Sequence, residues 1–317
     1  MKKIITYSNL KHEAIQYLKW FQQNPVTSIP HNVALEGAGS EWRTPLMHFG
    51  TVSPVYLSIQ RYIKKIGVKK GMKLIELGCG TGRFLSYLGT VFPELKIYGV
   101  DYSSSVIDYA NKKYANNRLI FKKTDTTKDK LFSSGSFDFV ISSHVIEHIK
   151  QKDGIFFLKE CSRLLRKNGY IFVGTPERRH SQNLYINNPD EDPKKRLTPP
   201  HEHEYIQREL ENLAKKIFRK ENLQIDFLIN PIYFKIFSTS VKKLSPRYGN
   251  MNKIRNFIYT TIRDYTPKIF FDYIVRMSIF YSLKKNNLTY KDILFSNSII
   301  SSNKRKIPDN LLLICKK

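Results

Sequence analysis

An acidic residue, three glycines at alternate positions and a second acidic residue form the clearest chemical pattern in this chain. The stretch LIELGCGTGRF (74–84) has the composition of a buried strand that carries Glu76 and then enters a turn. The glycines of this turn are Gly78, Gly80 and Gly82. Glycine has no Cβ, so the turn can bend sharply and a ligand can lie against its backbone. A second apolar stretch ends at Asp101, 19 residues after Gly82, which is the βαβ spacing that brings an acid to the ribose of a nucleoside-bearing cofactor.

Histidines and a glutamate form a second group, HVIEH (144–148), after the apolar stretch FDFVIS (137–142). HxxEH is also a zinc-protease pattern, but that motif requires one continuous helix, whereas FDFVIS predicts a strand. His144 therefore falls at the carboxyl end of a strand, where open α/β sheets bind ligands. The segment PPHEHEY (199–205) adds further histidines that can return over this edge. The predicted catalytic residues, in this order, are His144, His148 and His201, and the alternative for His201 and His203 is a solvated helix N-terminus.

The spacing of the glycine turn indicates which cofactor it holds. Dinucleotide sites use GxGxxG, with the pyrophosphate on the helix N-terminus. This turn is GxGxG with Glu76 two residues before it, and a carboxylate there suits an ammonium and a sulfonium better than a pyrophosphate. S-adenosylmethionine (SAM) carries both groups. ELGCGTG, with VDYS (100–103), resembles motif I and the next acidic motif of class I SAM-dependent methyltransferases.

Later segments resemble the same family in the same order. They are TDT (124–126) at the adenine contact, FDFVIS…EH at the fourth strand, and LRKNGYIFVGTP (165–176) at the following helix-turn-strand. The resemblance implies SAM as cofactor and these contacts to it: Glu76, Gly78, Cys79, Gly80, Gly82, Asp101, Tyr102, Asp125, Thr126 and Ser143.

The resemblance also raises the question of a metal. In methyltransferases similar to the small-RNA 3′-terminal and ubiquinone-pathway O-methyltransferases, ExxEH at this place binds a divalent ion. Here His144 replaces the first glutamate, while Glu147 and His148 match and His201 offers a distal histidine. We predict that no metal takes part, and Glu147, His148 and His201 are the candidate ligands of the alternative.

The family implies a Rossmann-like α/β fold with a seven-stranded, mostly parallel sheet and helices on both faces. We expect an N-terminal helical cap segment (1–70), a SAM-binding core (71–230), and a basic helical insertion or lid (231–317) that ends in the last core strand (about 309–316). Cys79, Cys161 and Cys315 lie in predicted core elements without paired spacing, which argues against disulfides and a zinc ribbon. No signal peptide or membrane-spanning run is recognised, so we expect a cytoplasmic protein.

The chain is strongly basic, with a formal net charge of +26 over 317 residues. Residues 231–317 hold 17 of the 53 basic residues but only 4 of the 27 acidic ones. A genome rich in Lys, Asn and Ile codons explains this bias, and so does an anionic partner such as nucleic acid or the inner face of the membrane.

The "EH" type of fourth strand is common in enzymes that act on small molecules, lipid quinones and sugars. The family resemblance therefore favours O-methylation of a sugar or lipid-linked surface glycan at the cytoplasmic membrane face. The alternatives are an RNA 2′-O-methyltransferase and a non-catalytic SAM-binding partner subunit.

Overall fold

A computed structural model describes residues 3–6, 10–24, 54–126, 130–179, 201–229 and 310–317. The strands are β1 (Lys3–Thr6), β2 (Lys73–Leu77), β3 (Lys96–Asp101), β4 (Leu119–Lys123), β5 (Phe137–Ser143), β6 (Leu165–Pro176), β7 (Leu223–Ile229) and β8 (Asn310–Lys316). The helices are α1 (Lys11–Gln23), α2 (Pro54–Ile66), α3 (Arg83–Val91), α4 (Ser104–Tyr114), α5 (Gly154–Leu164) and α6 (Gln207–Lys215). The predicted insertion, apart from β8, lies outside the described residues.

The strands form one mixed sheet in the order β1-β7-β8-β6-β5-β2-β3-β4. All neighbours pair in parallel except β8, which runs antiparallel to both β6 and β7. The seven-stranded, mostly parallel sheet that the sequence predicts is therefore confirmed in β2 to β8. The last strand spans Asn310–Lys316, close to the predicted 309–316.

One strand adds to this expectation. β1 pairs in parallel with β7, with Ile4 opposite Phe227 and Ile5 opposite Leu228. The sequence analysis predicted a helical segment for residues 1–70, and α1 and α2 do form there. The apolar pattern of a four-residue strand is too short to be distinguished from that of a loop. In addition, its hydrogen bonds come from β7, more than 200 residues away, so no local signal marks this strand.

Helices cover both faces of the sheet because the parallel strands are apolar on both sides. All seven residues of β5 are buried. One core cluster joins α1 to α4 to the sheet through residues such as Ile59, Leu85 and Ile107, and a second joins α5 and α6 through Phe157 and Leu210. The helices between parallel strands bring the chain back, so every parallel strand ends at the same edge of the sheet.

Local signals explain where the helices next to this edge begin. Pro54 is the first residue of α2, where a missing N–H costs nothing. Ser103 caps α4 by accepting a hydrogen bond from Val106 N at 3.3 Å. Glu209 accepts from the backbone N of Ile206 at 3.3 Å and fixes the first turn of α6.

Candidate active site

The glycine turn joins β2 to α3 at the carboxyl edge of the sheet. Gly78, Gly80 and Gly82 have φ angles of 75°, 53° and 74°, which L-residues with a side chain rarely adopt. The backbone N atoms of Gly78 and Cys79 both donate to Val100 O, at 2.8 and 2.9 Å, so the turn is tied to the end of β3. The geometry requires glycine here, as the sequence predicted.

The turn also abuts the loop that follows β5. A Cβ on Gly78 would lie 2.3 Å from Cγ2 of Val145, the residue after His144. The cofactor residues of β2 and β3 and the histidine group that follows β5 therefore lie next to each other at the carboxyl edge of the sheet. This contact is the structural link between the two patterns that the sequence analysis treated separately.

Asp101 ends β3 beside this turn. Its carboxylate accepts hydrogen bonds from Gly80 N at 3.0 Å and Ser103 N at 3.1 Å. Burial raises the pKa of Asp101, while these backbone hydrogen bonds act in the opposite direction. Each carboxylate oxygen has a second acceptor position, so Asp101 can also accept from ribose hydroxyls.

The remaining predicted cofactor residues lie along the same edge. Glu76 is fully buried in β2, and Tyr102, directly after Asp101, is 69% exposed and free to cover an adenine. Thr124 N donates to Asp101 O at 2.9 Å, which brings the next two residues, Asp125 and Thr126, beside β3. The buried Glu76 fits the ammonium group of SAM, and Asp101 fits the ribose hydroxyls. Between them, the glycine turn leaves room for the cofactor to lie against the protein backbone.

Two predicted cofactor residues, Ser143 and Cys79, are buried at this edge of the sheet. Ser143 is the last residue of β5 and pairs with Gly174 of β6. The thiol of Cys79 lies 3.6 Å from Gly80 O. Burial, with the nearby charges of Asp101 and Glu76, raises the pKa of Cys79 well above its usual value, so this cysteine is a neutral thiol and no nucleophile.

His144 lies just past β5 in a left-handed backbone conformation, with φ of 59°. Nonglycine residues at such angles are uncommon and concentrate at functional sites. Its Nδ1 lies 3.2 Å from Oε1 of Glu147, and the other oxygen of Glu147 accepts from Thr175 Oγ1 at 3.1 Å. Glu147 is fully buried, whereas the His144 side chain is 36% exposed. The hydrogen-bonded series Thr175–Glu147–His144 thus holds one partly exposed imidazole at the carboxyl edge of the sheet.

The charge state of Glu147 follows from these contacts. Burial raises the pKa of Glu147, but the hydrogen bond from His144 and the nearby histidines outweigh it and hold this pKa below the ordinary value. The carboxylate is therefore ionised at neutral pH and can stabilise a positive charge on His144.

The segment that begins at residue 201 folds over the same place, as the sequence predicted. The backbone N atoms of Glu202 and His203 donate to Glu147 O at 2.8 and 3.0 Å. The rings of His148 and His201 meet edge to face, with centroids 4.8 Å apart. His201 Nδ1 lies 2.5 Å from Oε1 of the buried Glu204. His201 is only 12% exposed in its side chain, so it differs from the solvated residue of the alternative interpretation.

The candidate metal ligands also come together. One atom each of Glu147, His148 and His201 lies within 4.8 Å of the others. One carboxylate and two imidazoles are ligands that a divalent transition metal accepts. The same carboxylate already bonds to His144 and Thr175, so ion binding would compete with that chain for Glu147.

Two residues of this cluster, Thr175 and Glu204, were not predicted from the sequence. Glu204 had a usable signal, because HxxE occurs twice, at His144–Glu147 and at His201–Glu204, and both pairs form. Thr175 had none, since it meets Glu147 only through the pairing of β5 with β6.

Comparisons with known proteins found related methyltransferases. Residues 75–173 match the family described as a methyltransferase domain. The chain is 29% identical over 140 residues to a ubiquinone biosynthesis O-methyltransferase of Pelagibacter ubique, which covers 41% of this chain and 55% of the relative. It is 30% identical over 103 residues to a malonyl-[acyl-carrier protein] O-methyltransferase of Legionella pneumophila, which covers 32% of this chain and 36% of the relative. The chain spans about half the length of the first curated relatives that it matches.

Among solved structures, a SAM-dependent methyltransferase from Archaeoglobus fulgidus aligns with a TM-score of 0.48 and 20% identity, over 86% of this chain and 97% of that one. The matched domain spans β2 to β6 and contains the glycine turn, both acids and the histidine group. Residues 75–173 therefore form a methyltransferase domain, and the matches support the class I SAM-dependent methyltransferase family with SAM as its cofactor.

Proposed function

We propose that this protein transfers a methyl group from SAM to a hydroxyl oxygen, with His144 as the general base. The observation that carries the proposal is the partly exposed imidazole of His144, oriented by the buried Glu147 at the edge where the glycine turn and Asp101 lie. A base is useful for an oxygen acceptor, because the hydroxyl has a high pKa and gains from losing its proton as it attacks; such bases contribute about 10²–10⁴-fold.

The proposed step balances as an in-line displacement. Bound SAM supplies an electrophilic methyl group on a sulfonium. Nε2 of His144 would take the proton of the acceptor hydroxyl as its oxygen receives the methyl group, and S-adenosylhomocysteine would be the other product. Glu147 keeps Nδ1 protonated and balances the imidazolium that forms. The glycine turn and Asp101 hold the donor, and positioning of both reactants supplies much of the remaining rate.

His148 and His201 complete the proposed catalytic group. Their rings lie against each other beside Glu147, so they can contact the acceptor or assist the proton transfer. The cofactor contacts proposed for Glu76, Asp101, Tyr102 and their neighbours rest on the positions described above.

We infer that the acceptor is a sugar or a lipid-linked surface glycan at the cytoplasmic membrane face. The support is family analogy: two relatives are named as a ubiquinone biosynthesis O-methyltransferase and a malonyl-[acyl-carrier protein] O-methyltransferase, and neither name refers to RNA. Fold alone does not identify an acceptor, so this part of the proposal depends on the experiment.

The experiment is methyl transfer from labelled SAM into an extract of the host cells, separated into lipid-glycan, small-molecule and RNA fractions. Label in lipid-glycan or sugar supports the proposed acceptor. Label in RNA refutes it in favour of the 2′-O-methyltransferase alternative. SAM binding without label in any fraction refutes the enzymatic role in favour of the partner-subunit alternative.

A matched pair of variants tests the base separately. His144→Ala is expected to lose most label incorporation but to keep its affinity for SAM. Asp101→Ala is expected to lose affinity for SAM, and its label incorporation should fall for that reason. If both variants lose SAM binding equally, the role assigned to His144 is wrong.

A further inference from the structure

The edge of the sheet opposite the active site carries a strongly basic surface. The parallel strands begin at this edge and α2, α4 and α5 end there, because each helix precedes a parallel strand. Three stretches of it, residues 64–73, 112–118 and 165–169, contain basic residues and no acidic residue. We call these three stretches the basic face.

The basic residues of the face are all exposed. They are Lys64, Lys65, Lys69, Lys70 and Lys73 in the first stretch, Lys112, Lys113 and Arg118 in the second, and Arg166 and Lys167 in the third. Two nearby acids interrupt the surface: Glu94 is exposed between the first two stretches, and the buried Asp138 pairs with Arg166. The other lysines and arginines leave a strong excess of positive charge.

Hydrogen bonds join the three stretches and the loops between them. Lys96 N donates to Met72 O at 2.9 Å, Ile97 N donates to Arg118 O at 2.7 Å, and Lys73 N donates to Asp138 Oδ2 at 2.8 Å. Asn168 N donates to the carbonyl of Lys317 at 2.8 Å, which brings another basic residue to the third stretch. The charges therefore belong to one rigid edge, although they are spread over about 100 residues of sequence.

Helix ends explain only part of this charge. Lys64 and Lys65 lie in the last turn of α2, and Lys112 and Lys113 in the last turn of α4, where cations interact favourably with the helix dipole. Lys69 and Lys70, between α2 and β2, and Lys167, near the start of β6, lie outside helices and gain nothing from a dipole.

We propose that the basic face binds the anionic headgroups of a phospholipid bilayer. The face runs across five neighbouring strands, from β4 to β6, which is about 19 Å at the usual strand spacing. A two-dimensional spread of lysines at one edge suits a charged plane, where each contributes about a fivefold gain in binding. None of the exposed large hydrophobic residues in the described chain, Ile15, Tyr102, Leu131 and Phe156, lies in the three stretches, so the face offers no aromatic platform for nucleic-acid bases.

This orientation has a consequence for the acceptor. β2 separates the basic face from the glycine turn by about 17 Å, at the usual rise per residue. The active site would face away from the bilayer, within reach of a soluble acceptor or of the glycan end of a lipid-linked chain. The membrane contact itself is independent of the proposed methyl transfer.

The experiment is co-sedimentation of the full chain with vesicles of phosphatidylcholine alone and of phosphatidylcholine mixed with phosphatidylglycerol. Lys69→Glu/Lys70→Glu/Lys113→Glu reverses three charges on the face. Lys123→Glu/Lys150→Glu/Lys152→Glu reverses three exposed charges on the other side of the molecule and gives the same net charge. SAM binding by both variants checks that they are folded.

We expect wild type to bind only the anionic vesicles, the first variant to lose at least about a hundredfold in binding, and the second to lose much less. Equal losses in the two variants would overturn the proposal, since they would show a response to net charge alone. Unchanged binding in both variants would overturn it by placing the contact elsewhere. Absence of vesicle binding, with poly(U) binding that the first variant loses, would assign the face to RNA instead.

Discussion

Replacement of Gly78 by alanine tests the contact that joins the cofactor turn to the catalytic loop. Gly78 has φ of 75°, and an added Cβ would lie 2.3 Å from Val145 Cγ2, far inside normal contact. The left-handed backbone costs alanine about 1–2 kcal/mol. Overpacking against Val145 adds about 1–3 kcal/mol. We expect Gly78→Ala to lower the free energy of unfolding by about 2–5 kcal/mol in urea titrations, and to weaken SAM binding measured by calorimetry.

Gly71→Ala is the matched control. Gly71 has φ of 89°, but an added Cβ would find nothing within 4 Å. It should therefore lose only the backbone part, about 1–2 kcal/mol, and keep its affinity for SAM. The difference between the two variants isolates the contact with Val145.

Removal of the obstacle gives a second check. In the double variant Gly78→Ala/Val145→Ala, the added methyl group gains the space that Val145 Cγ2 occupied, so part of the overpacking cost should return as a favourable coupling energy. The close contact between Gly78 and Val145 would be refuted by either of two results. Gly78→Ala could lower the free energy of unfolding no more than Gly71→Ala does, or the double variant could show no coupling energy.

Three further predictions concern the site itself. His144→Ala should lower kcat by about 10²–10⁴-fold with little change in SAM affinity, and a variant with full kcat would exclude a base at this position. Glu147→Gln should lower the free energy of unfolding at pH 7 by about 1–3 kcal/mol. Because the pKa of Glu147 is lowered from 4.5 in the folded state, the stabilisation by its carboxylate is present above that value and is lost as the pH falls through the lowered pKa. Urea titrations at a series of pH values downward from 7 should show the gap in unfolding free energy between wild type and variant closing at the acidic end. A gap that stays constant to the lowest pH at which both proteins fold would contradict the assigned charge. Dialysis against EDTA should leave methyl transfer unchanged, and a loss of activity restored by one divalent ion would instead favour the metal alternative at Glu147, His148 and His201.

Much of the cofactor half of the site could be predicted from the sequence, because its determinants are local. The glycine turn and the two acids lie within 26 residues, and their conformations follow from residue type and spacing. The matched family and the mixed sheet confirmed the class of protein and its fold. The individual cofactor and catalytic contacts remain predictions for the experiments above.

Other features depend on chain segments that only the fold brings together. Thr175 meets Glu147 because β6 pairs with β5, and β1 exists because it finds β7 at the edge of the sheet. Hydrogen bonds between distant strands have no local sequence signal, so neither contact could be predicted.

The net charge of +26 can also be read from the sequence, whereas the place where the basic residues cluster depends on the fold. Composition established that the protein is basic, and the sequence analysis looked for the cause in residues 231–317. The basic face uses other residues, from 64 to 169, whose separation along the chain hides their proximity in space. Residue types and short spacings determined the cofactor and the family. The tertiary structure decided which side chains bind the carboxylate of Glu147 and which basic residues lie together where the strands begin. The physical reason is that parallel strands all begin at one edge of the sheet and all end at the opposite edge.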